Sequence, residues 1–435
     1  MDILFKNATV VTMNPEEPVL HNVDVGITGR KISYISSENK VLEEKPKRTI
    51  NCENKVIMPG LYNSHSHAGM TMFRGYANDR NLEDWLFNYI FPAESKWTPD
   101  LLKTGVTLAA AEMIASGTIS INDMYSLMDT TAIVADEVGI LANISNGIIT
   151  FDEDSYDFYK DHVYVQTKNA MDMYHNKGDG RIKIDASIHG VYTSFSKAWE
   201  QVLDFAAKNK LGLHVHLSET KTEHEGTIEK YGKTPAKVFY EHGIFDLPTF
   251  AAHGVWLTDE DMDILAEKNV SLAHCPISNL KLASGLACVT KMIKKGINVA
   301  IGTDGVSSNN SHDIFEELKM ASLLQKYNDN DPTSMPALET LKLATTNGAK
   351  AAGRENESGM IKVGFDADMI LLDFDNPRQT VCYDPVISIV YSVSGRDVEM
   401  TICRGKVLYE KGEYKTIDIE KTLYEARLAQ KVFIC

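Results

Sequence analysis

The chain lacks the features that would send it to a membrane, a nucleic acid or an oxidising compartment. Among its 435 residues there are six cysteines, Cys52, Cys275, Cys288, Cys382, Cys403 and Cys435, and no Cys-x-x-Cys pair. A set so scattered in a chain this long reads as unpaired, reduced thiols in a cytoplasmic protein. No apolar stretch approaches the roughly 20 residues needed to span a bilayer. The start, Met1-Asp2-Ile3-Leu4-Phe5-Lys6, lacks the basic-then-apolar layout of a signal peptide. Positive charge is in deficit, with 44 Lys and Arg against 60 Asp and Glu and a net charge of -16. That balance argues against a nucleic-acid or anionic-membrane surface. There is no internal repeat and no low-complexity tract. What remains is an ordinary globular composition, 43% hydrophobic and 24% charged, in a chain long enough for one large domain or two to three smaller ones.

Both ends of the chain read as strands. Ile3 to Thr12, Val23 to Ile27 and Ile32 to Ile35 are apolar, β-branched or alternating, and Asn14-Pro15 and Gly29 break them. Ala367 to Phe374, Val398 to Cys403 and Val407 to Tyr409 look alike. The expectation is one β unit built from both ends. The middle alternates helical and strand patterns: helical Asp100 to Ala115, Thr131 to Glu137, Ala198 to Lys208, Pro235 to His242, Asp259 to Lys268 and Val289 to Lys295. The intervening strands are Ser120 to Asp123, Leu141 to Ile149, Ile182 to His189, Leu213 to Leu217, Thr249 to His253, Ser271 to His274 and Val299 to Thr303. Repeated βα units with polar residues at the strand C-termini predict a (β/α)₈ barrel whose active site lies at that face.

Five strand ends carry metal-type or acid-base residues. The first apolar run ends in Asn63-Ser64-His65-Ser66-His67, and side chains two apart on a strand point to one side. The others are Ser187-Ile188-His189-Gly190, Leu213-His214-Val215-His216-Leu217-Ser218-Glu219-Thr220, Ala251-Ala252-His253-Gly254 and Gly302-Thr303-Asp304-Gly305. Three neutral imidazoles and one carboxylate suit Zn²⁺, and His65, His67, His216 and Asp304 fit that set. Glu219, three residues past His216, is placed to act as a general base on a water, and His253 to donate to the developing intermediate. Each residue also has an ordinary reading. Glu219 alone is a solvated carboxylate, and Asp304 a turn residue. His214 is read as structural and facing away from His216. His274, before Cys275-Pro276, packs or bonds a loop.

The chain resembles the amidohydrolase superfamily, in the branch of 5'-methylthioadenosine/S-adenosylhomocysteine deaminases and their triazine-hydrolase relatives. The resemblance is carried by Pro59-Gly60-Leu61-Tyr62-Asn63-Ser64-His65-Ser66-His67, His216-Leu217-Ser218-Glu219-Thr220, Ala251-Ala252-His253, His274-Cys275-Pro276-Ile277-Ser278-Asn279-Leu280-Lys281-Leu282 and Gly302-Thr303-Asp304-Gly305-Val306-Ser307-Ser308-Asn309-Asn310. To these add Ala344-Thr345-Thr346-Asn347-Gly348-Ala349-Lys350 and Gly359-Met360-Ile361-Lys362-Val363-Gly364-Phe365-Asp366-Ala367-Asp368. It implies an α/β fold: a distorted (β/α)₈ TIM barrel over 57–354, with a small β-sandwich formed by 1–56 and 355–435. It implies one divalent metal, Zn²⁺ first and Fe²⁺ or Mn²⁺ as alternatives, held by His65, His67, His216 and Asp304. Water activated there attacks the amino-bearing ring carbon. Glu219 shuttles the proton to the ring nitrogen, His253 and Asp304 orient the nucleophile, and Asp304 helps protonate departing ammonia. Glu94 is similar to the glutamate that binds ribose hydroxyls, His189 to a substrate-binding histidine, Ser308 to a polar pocket residue, and Trp85 lies in the long loop covering the nucleoside. The partner implied is a small-molecule substrate, and the assembly a homo-oligomer.

Two departures bear on the substrate. Ser145-Asn146-Gly147 places Asn146 where the adenosine-type deaminases carry an arginine, which loses a bidentate anion fork. The His189 segment reads His-Gly-Val-Tyr, where His-Ala-Pro-Tyr is usual. The expected reaction is hydrolytic deamination of an adenine nucleoside at C6, with a preference for substrates that bear no carboxylate. The alternatives are a deaminase or chlorohydrolase of another heterocycle (a guanine-like purine, pterin or triazine), a dinuclear peptidase- or lactonase-like enzyme, and a non-catalytic assembly protein. No lysine at a middle strand end offers the carboxylated bridge of dinuclear relatives. The zinc deaminases of nucleic acids are excluded, because His-x-Glu and Pro-Cys-x-x-Cys are both absent.

Overall fold

The computed structural model describes residues 1–36, 45–80 and 82–434. Five of the cysteines are free, and Cys435 lies outside the described residues. Among the described residues no helix is long and apolar enough to cross a membrane.

The two chain ends pair as expected. From the first come β1 (Ile3–Val11), β2 (Val19–Thr28), β3 (Lys31–Ser36), β4 (Arg48–Asn51) and β5 (Lys55–Pro59). β1 runs antiparallel to β2 and parallel to β4 and then β5, so this part is a mixed sheet.

The barrel strands follow: β6 (Leu61–Ser66), β7 (Thr118–Met124), β8 (Leu141–Ser145), β9 (Ile182–Ile184), β10 (Ala186–Ile188), β11 (Leu213–Leu217), β12 (Thr249–His253), β13 (Ser271–His274) and β14 (Asn298–Ile301). The far end adds β15 (Met369–Asp373), β16 (Val398–Cys403), β17 (Lys406–Glu410) and β18 (Glu413–Tyr414). β15 lies antiparallel on β5, which makes one continuous nine-stranded sheet from both termini. Its apolar face is shared between them, with Phe5, Val25 and Ile27 packing in one cluster with Met369, Leu371 and Ile402. A half-buried ion pair also ties the ends, since Arg30 donates to both oxygens of Asp366 at 2.8 Å.

The middle strands form two all-parallel sheets, β6-β7-β8-β9 and β10-β11-β12-β13-β14. The segment expected as one strand over Ile182 to His189 is broken at Asp185. There the backbone changes partners: the Asp185 N–H bonds Ile144 on β8 and the Ala186 N–H bonds Gly212 ahead of β11. The break thus joins the two sheets. At the other seam a parallel bridge links Ser66 to Asp304, and the Asp304 N–H donates to the His65 carbonyl at 2.9 Å. Eight strand positions succeed one another round this ring, in the manner of a distorted (β/α)₈ barrel. The seam is tight: a Cβ on Gly302 would lie 2.6 Å from the His65 nitrogen, so only glycine fits. The strand expected over Leu141 to Ile149 ends at Ser145, beyond which one bridge joins Ile148 to Ile188.

Candidate active site

The strands deliver their polar residues to one mouth, and the histidines arrive pre-oriented. His67 Nδ1 donates to the Met124 carbonyl, and His216 Nδ1 to the His189 carbonyl at 2.8 Å. In the neutral ring each bond places the proton on Nδ1 and makes Nε2 the lone-pair nitrogen. His65 Nδ1 is 3.0 Å from His214 Nε2, and His214 Nδ1 meets Ser145 Oγ at 3.2 Å. His65 Nε2 is buried and makes no hydrogen bond among the described residues. The ligand atoms of His65, His67 and His216 lie within 4.8 Å of one another, as do those of His65, His253 and Asp304. Asp304 Oδ1 stands 3.2 Å from His67 Nε2 and 3.6 Å from His65 Nε2.

The electrostatics fit a cation. Burial, and then the charge of His67, hold the pKa of His65 well below the usual histidine value. Burial and the neighbouring histidines do the same to His216. Burial opposes charge on His67 too, yet Asp304 raises that group to about 9. Asp304 is itself held well below the usual carboxylate range: burial works against its charge, and the His67 hydrogen bond together with the charges of the surrounding histidines outweighs it. The cluster is acceptor-rich and desolvated, and His67 and Asp304 relieve it by sharing a proton. A divalent cation satisfies every one of these lone pairs together, so the donor set, with its orphaned His65 nitrogen, fits a metal.

Beside this cluster stand Glu219 and His253, with Glu219 Oε2 3.9 Å from His253 Nε2. Burial pushes the Glu219 carboxyl up from its ordinary value. Three of the site backbones are left-handed, at Ser218 (φ 49°), His253 (φ 75°) and Asp304 (φ 60°). Such conformations are strained for residues with a Cβ and persist where the surroundings enforce them. The enforcing contacts are visible. Glu223 takes the N–H groups of Ser218 (3.2 Å) and Glu219 (2.7 Å) on its two carboxylate oxygens. Asn279 Oδ1 meets His253 Nδ1 at 3.0 Å, and Ser278 Oγ donates to Asp304 Oδ2 at 2.6 Å.

A cavity of about 340 Å³ opens from these residues and is lined by Trp85, Glu94, Tyr125, Asn146, His189 and Ile149 besides the site itself. Trp85 belongs to a helical ribbon, Leu82–Trp85 continuing through Leu86–Ile90 into Phe91–Glu94, and not to an irregular loop. Glu94 accepts from Tyr125 Oη at 2.5 Å; burial raises its carboxyl to about 7, against that bond. Burial lowers His189 to about 3, so it is a neutral partner. Asn146 Nδ2 donates to Gln166 Oε1 at 3.0 Å.

Two expectations need correction. Ser308 does not line the cavity. Its hydroxyl sits behind Asp304, 3.0 Å from Oδ2 and 3.0 Å from Ser278 Oγ, and is 2% exposed. His214 does not face away from His216. Residues two apart share a strand face, and His214 lies inside the barrel against His65. His274 is buried with both ring nitrogens unpaired among the described residues. Sequence reasoning missed Ser278 and Asn279 as orienting groups, although both lie in the quoted His274–Leu282 stretch. It also missed Tyr125, and Glu223, whose signal was the Thr220-x-x-Glu223 spacing of a helix start.

Parallel βα units with histidines and acids gathered at the strand C-termini define a metal-type hydrolase of the barrel class. The chain belongs to the Amidohydrolase family, which it matches over residues 56–408. It is 44% identical to a 5-methylthioadenosine/S-adenosylhomocysteine deaminase of Caldanaerobacter subterraneus, over 98% of this chain and 97% of that protein. It is 42% identical to a 5'-deoxyadenosine deaminase of Methanosarcina acetivorans, over 100% and 98%. Among solved structures it is similar to an adenosine deaminase from Xanthomonas campestris with bound zinc, at a TM-score of 0.93 and 30% identity, covering 99% of this chain and 98% of that one.

Proposed function

We propose that this protein is a metal-dependent hydrolase that deaminates adenine nucleosides at C6, giving the inosine analogue and ammonia. One observation carries the reading. The Nε2 atoms of three histidines and the Asp304 carboxylate converge beside Glu219 and His253, in a cavity whose wall includes a further, half-buried carboxylate, Glu94. His65, His67, His216 and Asp304 hold one divalent ion, zinc ahead of iron or manganese. When bound, such an ion lowers the pKa of its water and so supplies a nucleophile at neutral pH.

The chain's own residues do the rest. Glu219 takes the proton of the attacking water and delivers it to the ring nitrogen next to C6. His253 holds the nucleophile through Nε2. As the C6–N bond breaks, Asp304 relays the remaining proton of the added hydroxyl to the leaving amine, so that C6 becomes a carbonyl and ammonia departs. Trp85 covers the nucleoside and His189 contacts it, while Glu94 accepts the two vicinal ribose hydroxyls. Asn146 stands where a guanidinium would read a carboxylate, which favours adenosine and 5'-methylthioadenosine over S-adenosylhomocysteine. Relatives at 42% and 44% identity named as deaminases of such nucleosides support this reading. A triazine hydrolase at 23% identity speaks to fold alone. We further infer two structural units, 57–354 carrying these site residues and 1–56 with 355–435 forming the other, in a small-molecule enzyme that assembles as a homo-oligomer.

Ammonia release from adenosine, 5'-methylthioadenosine, 5'-deoxyadenosine, S-adenosylhomocysteine, guanine and an aminotriazine tests the reading. The highest kcat/KM should fall among the nucleosides without a carboxylate. Faster turnover of guanine or the triazine would overturn it.

A further inference from the structure

A chain of contacts leads from the cavity to the last turn of the protein. The indole N–H of Trp97 donates to Tyr125 Oη at 3.0 Å. An indole can only donate, so the Tyr125 oxygen is the acceptor there and its one O–H is directed to Glu94 Oε1, 2.5 Å away. Among the described residues no other hydrogen bond reaches that carboxylate, so its second oxygen remains for other donors. Trp97 is set in turn by two phenylalanines. Phe73 and Phe433 stand 5.2 Å and 4.8 Å from its ring and 4.9 Å from each other, the Phe433 contacts being edge-on. Phe433 lies in the helix Ile419–Ile434 and is 5% exposed. The same turn is tied again where Lys96 Nζ donates to the Val432 carbonyl at 3.3 Å.

We propose that Tyr125, Trp97 and Phe433 are positioning residues for Glu94, so that the C-terminal helix sets how well the enzyme recognises ribose hydroxyls. This rests on the nucleoside reading above. The direction of each hydrogen bond makes Glu94 an acceptor, which is what a diol needs. The aromatic trio restrains the Trp97 ring plane and hence the line of its N–H. Trp97 and Phe433 act at a distance and touch neither ligand nor metal group.

The test compares kcat/KM for adenosine with that for 2',3'-dideoxyadenosine in metal-replete enzyme, with metal content measured alongside. Trp97→Phe keeps an aromatic ring between Phe73 and Phe433 and removes the donor. Tyr125→Phe removes the bond to the carboxylate, and Phe433→Ala removes the buttress. The adenosine preference should fall roughly tenfold in Tyr125→Phe and roughly threefold to fivefold in the other two. The change should appear in KM for adenosine, with the dideoxy compound and the metal content unaffected. A large wild-type preference that both Trp97→Phe and Phe433→Ala leave intact would overturn the inference alone. A wild-type preference near one would overturn the ribose-binding role of Glu94 and the inference with it. Should Phe433→Ala fail to fold, Trp97→Phe, which keeps an aromatic ring in place, decides.

Discussion

Ser278 and Ser308 offer the sharpest handle on how the site is held. Both hydroxyls donate to the outer oxygen of Asp304, Oδ2, at 2.6 Å and 3.0 Å. The inner oxygen is thereby left facing His67 and His65. A hydrogen bond to a charged group is worth about 1.5–3 kcal/mol, so Ser278→Ala alone should weaken metal retention or turnover by roughly 10- to 150-fold. Replacing both serines leaves Oδ2 buried without a side-chain donor, and the loss should exceed either single change. Metal affinity is read by competition with a chelator, and turnover by ammonia release. Ser307→Ala is the control, because that hydroxyl turns to Met70 Sδ; it should leave both readouts alone. Ser308→Ala should act on metal and kcat, not on KM, since the hydroxyl is behind Asp304. A Ser278→Ala/Ser308→Ala protein with unchanged chelator competition and unchanged kcat/KM would refute this reasoning.

Glu219→Gln should keep its metal while kcat falls by about 100-fold or more, because an amide cannot relay the proton; unchanged turnover would remove Glu219 from the mechanism. Burial raises the Glu219 pKa, and the base works only when ionised. The wild-type kcat/KM should therefore fall, as pH drops, at a pH above the ordinary glutamate value of 4.5, and a pH–rate profile locates that limb. Asn146→Arg should raise the preference for S-adenosylhomocysteine over 5'-methylthioadenosine by about tenfold, one charge-assisted bidentate contact, as paired kcat/KM values would show. Glu223→Ala frees the Ser218–Glu219 turn and should lower kcat by roughly 10- to 100-fold with KM little changed, whereas a pure KM effect would argue against it.

The clustering of His65, His67, His216 and Asp304 was legible because these residues are written at strand ends. An alternating or apolar run, then a histidine or acid, recurs along the middle of the chain, and the barrel turns each such end to one face. The pairing of the termini was legible for the same reason, since Ile3 to Thr12 and Ala367 to Phe374 both carry strand patterns. The break at Asp185 was not, because apolar alternation runs through it and only the change of hydrogen-bond partner reveals it. His214 was misread on geometry, although strand periodicity alone puts it beside His216. Ser278 and Asn279 look like turn residues, and nothing local says that they reach Asp304 and His253. Nothing local marks Tyr125 and Trp97: Trp97 bonds Tyr125 across 28 residues of chain, and Tyr125 bonds Glu94 across 31.

The central claim is that three imidazoles and one carboxylate from distant strand ends share a single cation. Diffraction data collected at the metal absorption edge from crystals of metal-replete enzyme test it most directly. One anomalous peak per chain is expected, about 2.0–2.2 Å from the Nε2 atoms of His65, His67 and His216 and from an Asp304 oxygen. A featureless map at that point, or two peaks bridged by another side chain, would contradict the account.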